Sequence, residues 1–393
     1  MHTNNSIKNL LGFKDISIKK IIHNDTCIEI YLETKKRVCT CPNCNSKVTR
    51  VHDYRIQRIK DIPLFFKHTF IILKKRRYRC NACGKRFYEH LEFLPRYHRI
   101  TNRLAMFIIN ELSNEFSMSS VARKTNLSID TIKRVFNNVS YSPPAILPKI
   151  IAIDEFKGNS GGSKYHCSIV DPVNHKILDI IKDRKEHVLV DYFKKIKNRD
   201  SVTHFICDMW QPYIDLAKTY FKNAVIVIDR FHYVRQVMWA IEAVRKRIQK
   251  NMSIKYRKYF KKSRKLILTR FNKLNDESKA ALQLMLSYSE DLRIAHILKE
   301  KLLEIVDSAS SSEEARIRLK DWINLALNCN IKEFTKCAET YIRYFKEITN
   351  SFDIPYTNAC TEGFNNKIKV IKRIAFGYRN FDRFRNRILH CCK

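Results

Sequence analysis

Glycine and proline are scarce in this chain, 7 and 9 among 393 residues. Few positions are therefore marked for tight turns or breaks. The stretch 230–350 holds neither residue, which favours uninterrupted helices. Acidic residues are also few: 39 Asp and Glu stand against 75 Lys and Arg, a formal charge of +36. So large an excess goes beyond what solubility asks for and fits a polyanionic partner, nucleic acid first. No run reaches the roughly 18 apolar residues of a membrane-spanning helix. The N-terminus, Met1-His-Thr-Asn-Asn-Ser6, lacks a charged-then-apolar leader pattern. Secretion and membrane insertion are not expected, and a cytoplasmic, nucleoid-associated location is. Only one subset of the 13 cysteines is regularly spaced. That argues against a disulfide framework and for a reducing compartment with one metal site. Hydrophobic residues make up 45%, enough for two or three domains with substantial cores.

Up to about Pro95, short β-like runs alternate with basic turns, as in Cys27-Ile-Glu-Ile-Tyr-Leu32 and Thr69-Phe-Ile-Ile-Leu73. Two C-x-x-C knuckles stand among them, Cys41-Pro-Asn-Cys44 and Cys80-Asn-Ala-Cys83. Four thiolates in two such pairs make a closed tetrahedral Zn²⁺ site, structural because no open position remains. The intervening stretch 45–79 exceeds the usual ribbon spacing of roughly 15–20 residues and has room for a β-hairpin. Cys39, His52 and His90 are substitute ligands of lower rank. The basic run Lys74-Lys-Arg-Arg-Tyr-Arg79 is either a phosphate contact or a solvated strand edge. A zinc-binding module is expected over residues 1–98.

A helix-turn-helix is expected over 99–141. In Phe116-Ser-Met-Ser-Ser-Val-Ala-Arg-Lys-Thr-Asn-Leu-Ser-Ile-Asp-Thr-Ile-Lys-Arg-Val-Phe136, Ala122 is the small residue where two helices cross and Leu127 is the apolar turn residue. Ser128 can cap the second helix. Asn126 stands where Gly is common, and Asn tolerates a left-handed conformation. Ile132 and Val135 would pack inward. Thr131, Lys133 and Arg134 would face a DNA major groove, although an ordinary helical hairpin fits the same short pattern. The prolines at 143, 144 and 148 mark a joint.

From Lys149 the pattern changes. Strands read at about 149–154, 164–170 and 176–182, a helix at 186–197, a strand at 203–208, a helix at 212–221 and a fifth strand at 224–228. This is the order of an RNase H-like α/β fold, in which the first strand is central and the fourth lies beside it. Asp154 ends the apolar run Ile150-Ile-Ala-Ile153 and Asp208 ends His204-Phe-Ile-Cys207, so the two acids fall together. Asp229 ends the fifth strand, further off, and is the lesser choice for a second acid. Glu362 opens the helix-like segment Thr361–Arg373. There Glu362, Asn366 and Lys369 share one face by i, i+4, i+7 spacing, while Phe364, Ile368 and Ile371 form the packing face. Oxygens from two strand ends and a late helix can hold a pair of divalent cations, Mg²⁺ or Mn²⁺, which suits phosphodiester chemistry. The basic helical insertion, about 235–350, offers Arg245, Lys246 and Arg247 to phosphates. Trp210, Trp239 and Trp322 are core residues or base-stacking platforms. The fold class expected is multidomain α+β: an N-terminal zinc-binding β module, a helix-turn-helix, and an RNase H-like α/β catalytic domain over 149–393, interrupted by a long all-α insertion.

In this order the motifs resemble the ISL3 family of bacterial insertion-sequence transposases, within the DDE superfamily. The resemblance rests on the knuckle pair, the helix-turn-helix, Ile153-Asp-Glu-Phe156, Cys207-Asp-Met-Trp210, Asp229-Arg-Phe-His232 and Asn358-Ala-Cys-Thr-Glu-Gly-Phe-Asn-Asn-Lys-Ile-Lys369, and covers essentially the whole chain. It implies that Asp154, Asp208 and Glu362 are the DDE residues and that Asp229 and His232 form a supporting D-x-x-H element. It also implies binding to terminal inverted repeats and target DNA, metal-dependent strand cleavage and strand transfer, and a homodimer or larger synaptic complex. Lys393 comes early for such a family, which leaves room for a further C-terminal tail. Two readings of other kinds compete. A non-enzymatic DNA-binding regulator needs only the N-terminal modules and leaves the three acids unexplained. An RNase H-like nuclease shares the acids but needs neither the insertion nor two sequence-reading modules.

Overall fold

The computed structural model describes residues 11–356 and 359–392. It forms two compact units. The first contains the chain up to Tyr141 together with Arg373–Phe376 and Asn386–Cys391; the second contains Ser142–Lys372, Gly377–Arg385 and the residues after Cys391. Asn358, at the start of the last motif, and the terminal Lys393 lie outside the described residues. Among the described residues no helix is long and apolar enough to cross a membrane.

The first unit opens with seven strands: β1 (Ile16–His23), β2 (Cys27–Thr34), β3 (Cys39–Thr40), β4 (Lys47–Val48), β5 (Val51–Leu64), β6 (Lys67–Arg79) and β7 (Arg86–Tyr88). The main sheet has the order β1-β2-β6-β5, with β7 added beside β6. Alternation sets its buried face: Ile28, Ile30 and Leu32 of β2 meet Ile59, Ile71 and Leu73 from β5 and β6. The stretch between the knuckles is the long β5–β6 hairpin, closed at Leu64↔Lys67. Three helices follow: α1 (Asn102–Ser113), α2 (Met118–Thr125) and α3 (Ile129–Phe136). Leu104, Ile108 and Leu112 of α1 pack on Val121, Ala122, Ile132, Val135 and Phe136. Ser117 and Ser128 cap α2 and α3, accepting from Ser120 N at 3.0 Å and Thr131 N at 3.2 Å. Asn126 is left-handed, with φ +52°. Far along the chain, Arg387 donates to the carbonyls of Leu112 and Phe116.

The second unit is built on β8 (Ile150–Ser160), β9 (Ser163–Asp171), β10 (Lys176–Ile181), α4 (Glu186–Phe193), β11 (His204–Cys207), α5 (Gln211–Tyr220) and β12 (Val225–Ile228). The sheet order is β10-β9-β8-β11-β12. β8 pairs antiparallel with β9 and parallel with β11, which in turn pairs parallel with β12. The elements fall where the sequence pattern puts them, with two differences of extent: α4 stops at Phe193 rather than at 197, and β8 runs past Asp154. Asp154 is not at a strand end: β8 continues to Ser160 because β9 goes on pairing with it, through Glu155↔Cys167 and Phe156↔His166. The parallel ladder to β11 does stop earlier, at Ile206↔Ala152.

Between β12 and the last acidic helix the described chain is helical: α6 (Arg230–Lys250), α7 (Ile254–Lys262), α8 (Arg264–Leu268), α9 (Asp276–Ser287), α10 (Glu290–Ser308), α11 (Ser312–Leu327), α12 (Lys332–Arg343) and α13 (Phe345–Thr349), joined by short turns. These helices share one core with a sheet face: Ile151, Ile153, Phe205 and Ile228 pack in the cluster that holds Tyr233, Val237, Phe334 and Tyr341. Trp322 is buried there and donates its indole N–H to Leu298 O at 2.8 Å. The opposite sheet face, Ala152, Val170, Ile206 and Val227, lies under Cys360 and Phe364 of α14 (Ala359–Ile374). The final helix is α15 (Phe381–Cys391).

Candidate active site and metal centre

Alternate residues of a strand face the same side of a sheet. Ala152, Ile206 and Val227 share the face under α14. Two positions further along, with the same parity, come Asp154, Asp208 and Asp229. Register aligns Ile206 with both Ala152 and Val227, so the three acids form a row where the parallel ladder ends. Neighbouring strands lie about 4.8 Å apart, close enough for their charges to interact.

Asp154 is held on both oxygens. Oδ1 accepts from the Glu155 amide at 2.7 Å, and Oδ2 accepts from the Asn365 side-chain amide at 2.8 Å. Asp208 Oδ1 is buried with no hydrogen-bond partner among the described residues. Burial foremost, with Asp229 and Glu155 adding repulsion, pushes Asp154 up to about 6. Burial and then the charges of Asp154 and Glu155 push Asp208 up to about 7. A cleft of 620 Å³ opens over this row, lined by Asp154, Glu155, Asp208, Asp229, Asp307 and Glu362, with Arg230, Arg235, Arg270 and Lys369 among the cations; Arg270 is paired with Asp307 at 3.0 Å. Glu362 is exposed at its edge. The structure thus gathers Asp154, Asp208, Glu362, Asp229, His232 and Lys369 around one space. Asp154, Asp208 and Glu362 are nonetheless spread more widely than a closed metal site: among the described residues, only the four knuckle cysteines have ligand atoms all within 4.8 Å of one another.

Asn366 does not line this cleft. It is exposed and bonds Lys369 Nζ at 3.1 Å. The amide that meets the acids is its neighbour Asn365, buried in the stripe Thr361, Asn365, Ile368. Sequence reasoning also missed Arg235, one turn beyond His232 on α6. Its guanidinium lies 3.1 Å from His232 Nδ1 and stacks between the rings of Phe231 and Trp239 at 5.1 and 4.7 Å. It draws down the pKa values of both Asp154 and Asp208. Burial and the Arg235 charge hold His232 near 4, so its imidazole is neutral and can accept from Arg235. The motif Asp229-Arg-Phe-His-x-x-Arg235 carried the signal for Arg235: a cation one turn on from a histidine that already faces acids. Of the basic trio, Arg245 turns inward to Glu242 at 2.9 Å and to Phe260 O, and Arg247 pairs with Asp291 and Glu333. Those acids, distant in sequence or on the same helix face, remove both from the role of free phosphate contacts. Trp210 is half-buried against Tyr213, whereas Trp239 is exposed.

In the first unit the two knuckles repeat one local geometry. Cys41 N bonds Ser46 O and Asn45 N bonds Cys41 O; Cys80 N bonds Lys85 O and Gly84 N bonds Cys80 O. Asn45 and Gly84, at equivalent places, are both left-handed. The sulfur pairs Cys41–Cys83 and Cys44–Cys80 lie 3.6 and 3.5 Å apart. A tetrahedron of Zn–S bonds of ~2.3 Å has edges of about 3.8 Å, so the thiols fit the ion. Hydrogen bonds from Ser46 lower Cys44 to about 6 and the Lys85 amide lowers Cys83, which favours the thiolate form at those two, while, against the Cys83 amide, burial and the side chains of Cys44 and Cys83 push Cys80 up to about 11. On α3, Arg134 is exposed and Thr131 and Lys133 are half-buried; Lys133 pairs with Asp130 at 3.1 Å.

A row of acids where a parallel ladder ends, a four-thiolate site and a helix-turn-helix in so basic a chain define a nucleic-acid enzyme with separate binding modules. A family model described as a transposase, the DDE type of ISL3, matches residues 151–388. A model of the zinc-finger of transposase IS204/IS1001/IS1096/IS1165 matches 37–83, and one of the helix-turn-helix domain of transposase family ISL3 matches 89–140. The chain is 27% identical, over 91% of its length and 89% of the relative's, to the transposase for insertion sequence element IS1001 of Bordetella parapertussis. It is 30% identical to the transposase for IS1557 of Mycobacterium tuberculosis, in two strains, over 27% of this chain and 24% of theirs. The chain belongs to the ISL3 family of insertion-sequence transposases. It is a DNA-cleaving enzyme of the DDE type with a zinc ribbon and a DNA-binding helix-turn-helix.

Proposed function

We propose that Asp154, Asp208 and Glu362 are the catalytic acids, that the sheet of the second unit is an RNase H-like sheet, and that the helical stretch from about 235 to 350 is an insertion in a catalytic domain beginning near 149. The observation that carries this is Asp208: a buried carboxylate oxygen without a partner, beside a second acid, both pushed toward neutrality. Such an unmet acceptor is destabilising unless a cation completes it. Hard carboxylate oxygens suit Mg²⁺. When bound, divalent cations supply an activated water or 3′-hydroxyl and neutralise charge at the leaving oxygen. The chain's own residues do the rest. Asn365 fixes the Asp154 carboxylate, Arg235 offsets the row of acids and, with burial, keeps His232 neutral, and Lys369 offers a cation to phosphate in the cleft, where Arg270 is held by Asp307. Thr131, Lys133 and Arg134 read the element's terminal inverted repeats. Joining two ends requires at least a dimer.

The test is an excision and joining assay on a donor plasmid carrying the DNA that flanks this gene, with and without Mg²⁺. Metal-dependent excision and new junctions, both lost in Asp208→Asn and in Glu362→Gln, are expected. Full activity in either variant overturns the assignment. Asp229→Asn is the informative third variant, because Asp229 lines the same cleft: if it alone abolishes cleavage while Asp208→Asn does not, the second acid is Asp229.

A further inference from the structure

The β5–β6 hairpin ends in two aromatic residues that the described structure leaves uncovered. Phe65 is 82% and Phe66 108% exposed. Both are left-handed, with φ +51° and +62°. A two-residue hairpin loop with both residues at positive φ is ordinarily Asn-Gly, because a Cβ is strained there. This tip therefore accepts backbone strain and sets two rings in water, and neither ring joins the sheet core formed by Ile28, Ile30, Leu32, Ile59, Ile71 and Leu73.

What flanks the tip indicates its occupant. Lys60, five residues before Phe65 and roughly 16 Å along the strand, lines a groove of 1070 Å³ with Arg58, Arg99 and the helix-turn-helix residues Thr131 and Arg134. A second groove, of 440 Å³, shares Arg58, Tyr97 and Arg99 and adds Arg55, Lys75 and Arg96. No acidic residue lines either groove. A surface with that charge fits duplex DNA. It repels the same surface of a second copy.

We propose that Phe65 and Phe66 form an apolar wedge that enters between stacked base pairs beside the site read by the helix-turn-helix, partly unstacking one step and kinking the duplex. Apolar side chains inserted from the minor groove act in this way in architectural DNA-binding proteins. Arg58 is paired with Glu29 at 3.0 Å and Lys60 with Asn126 O; Arg55, Arg99 and Arg134, which also line these grooves, hold the phosphates on the near side, so the wedge meets DNA already in register. The proposal rests on end binding by the first unit and adds where, and with what distortion, the end is held.

The decisive experiment uses the full chain and duplexes drawn from the DNA flanking its gene, with 2-aminopurine placed at successive steps and a circular-permutation gel for bending. The variant is Phe65→Asn/Phe66→Gly, which relieves the turn strain and so keeps the hairpin folded, with its melting temperature equal or higher. Wild type is expected to brighten 2-aminopurine at one step and to bend the duplex. The variant is expected to bind about tenfold more weakly, with neither signal. The same bend and fluorescence in a folded variant overturns the wedge while leaving end binding intact. So does loss of a wild-type dimer in the variant, seen by sedimentation, with the bend unchanged, which would make the tip a contact between copies. Wild type that binds no flanking duplex overturns both the wedge and the end-binding reading.

Discussion

At the scale of single residues, the row Asp154, Asp208, Asp229 makes its own prediction about pH. Asp208 rises from 3.8 to about 7 and Asp154 to about 6. A carboxyl group whose folded pKa is raised binds its proton more tightly in the folded state. Its contribution is fully present below about pH 4 and is lost as pH climbs through 6 and 7. In EDTA, then, Asp208→Asn should match wild type near pH 4 and melt several degrees higher at pH 8, where wild type carries the uncompensated charge. Mg²⁺ should shrink or reverse that gap. A difference that stays flat from pH 4 to 8 would show that Asp208 is not strained by ionisation. Asn365 gives a second residue-scale test. Outer partners of metal ligands commonly contribute 10–100-fold to activity, so Asn365→Ala should lower cleavage by about that factor and Asn366→Ala by less than about twofold. Equal losses would mean that the Asp154 contact is not used. The sequence pattern alone does not separate the two asparagines. Positions i+3 and i+4 from Glu362 lie to either side of it on a helix, and which one turns inward depends on the packing of Thr361 and Ile368 against a distant sheet.

Among the elements, the most legible were those with strong local chemistry. Short apolar runs bounded by polar residues located all five strands of the second unit, Ser128 announced its cap, and the paired C-x-x-C spacing announced the knuckles. The extension of β8 past Asp154 was hidden because Glu155, Lys157 and Asn159 break the apolar run, and only the antiparallel pairing with β9 keeps that stretch extended. A hairpin tip made of Phe-Phe was equally hidden, since neither residue is a turn former. The zinc ribbon is the element whose stability depends most directly on one component, because a small β module of this kind draws much of its folding energy from its metal. One zinc per chain should be found by atomic absorption. Its removal by a strong chelator should speed amide exchange at Ser46–Val48 and Arg86–Tyr88 while leaving β8–β12 protected. Purified chain with no zinc, and knuckle amides already in fast exchange, would show that the ribbon is not built on a metal.

For the whole molecule, the order of zinc ribbon, helix-turn-helix and acidic sheet could be read along the chain, since each part carries its own spacing. The membership of Asn386–Cys391 in the first unit could not be read, because Arg387 finds the carbonyls of Leu112 and Phe116 across a separation that leaves no local pattern. Charge has the same two sides. A total of +36 announces a polyanion but not which cations touch it. Many are already committed to acids, as Arg76 is to Glu89, Arg103 to Asp61 and Arg247 to Glu333. Arg99 and Arg134 line a groove without acids. If these two contact phosphate, each releases about one counterion on binding, and the slope of log K against log salt falls by roughly 0.9 when either is replaced by alanine. Arg247→Ala should leave the slope unchanged, since that guanidinium is neutralised by its partners before any DNA arrives. Measured by fluorescence anisotropy on one flanking duplex between about 50 and 200 mM salt, the three variants separate net charge from contact. A uniform drop across all three would mean that binding follows total charge alone, whereas a drop confined to Arg99 and Arg134 would locate the DNA on the groove between the hairpin and α3.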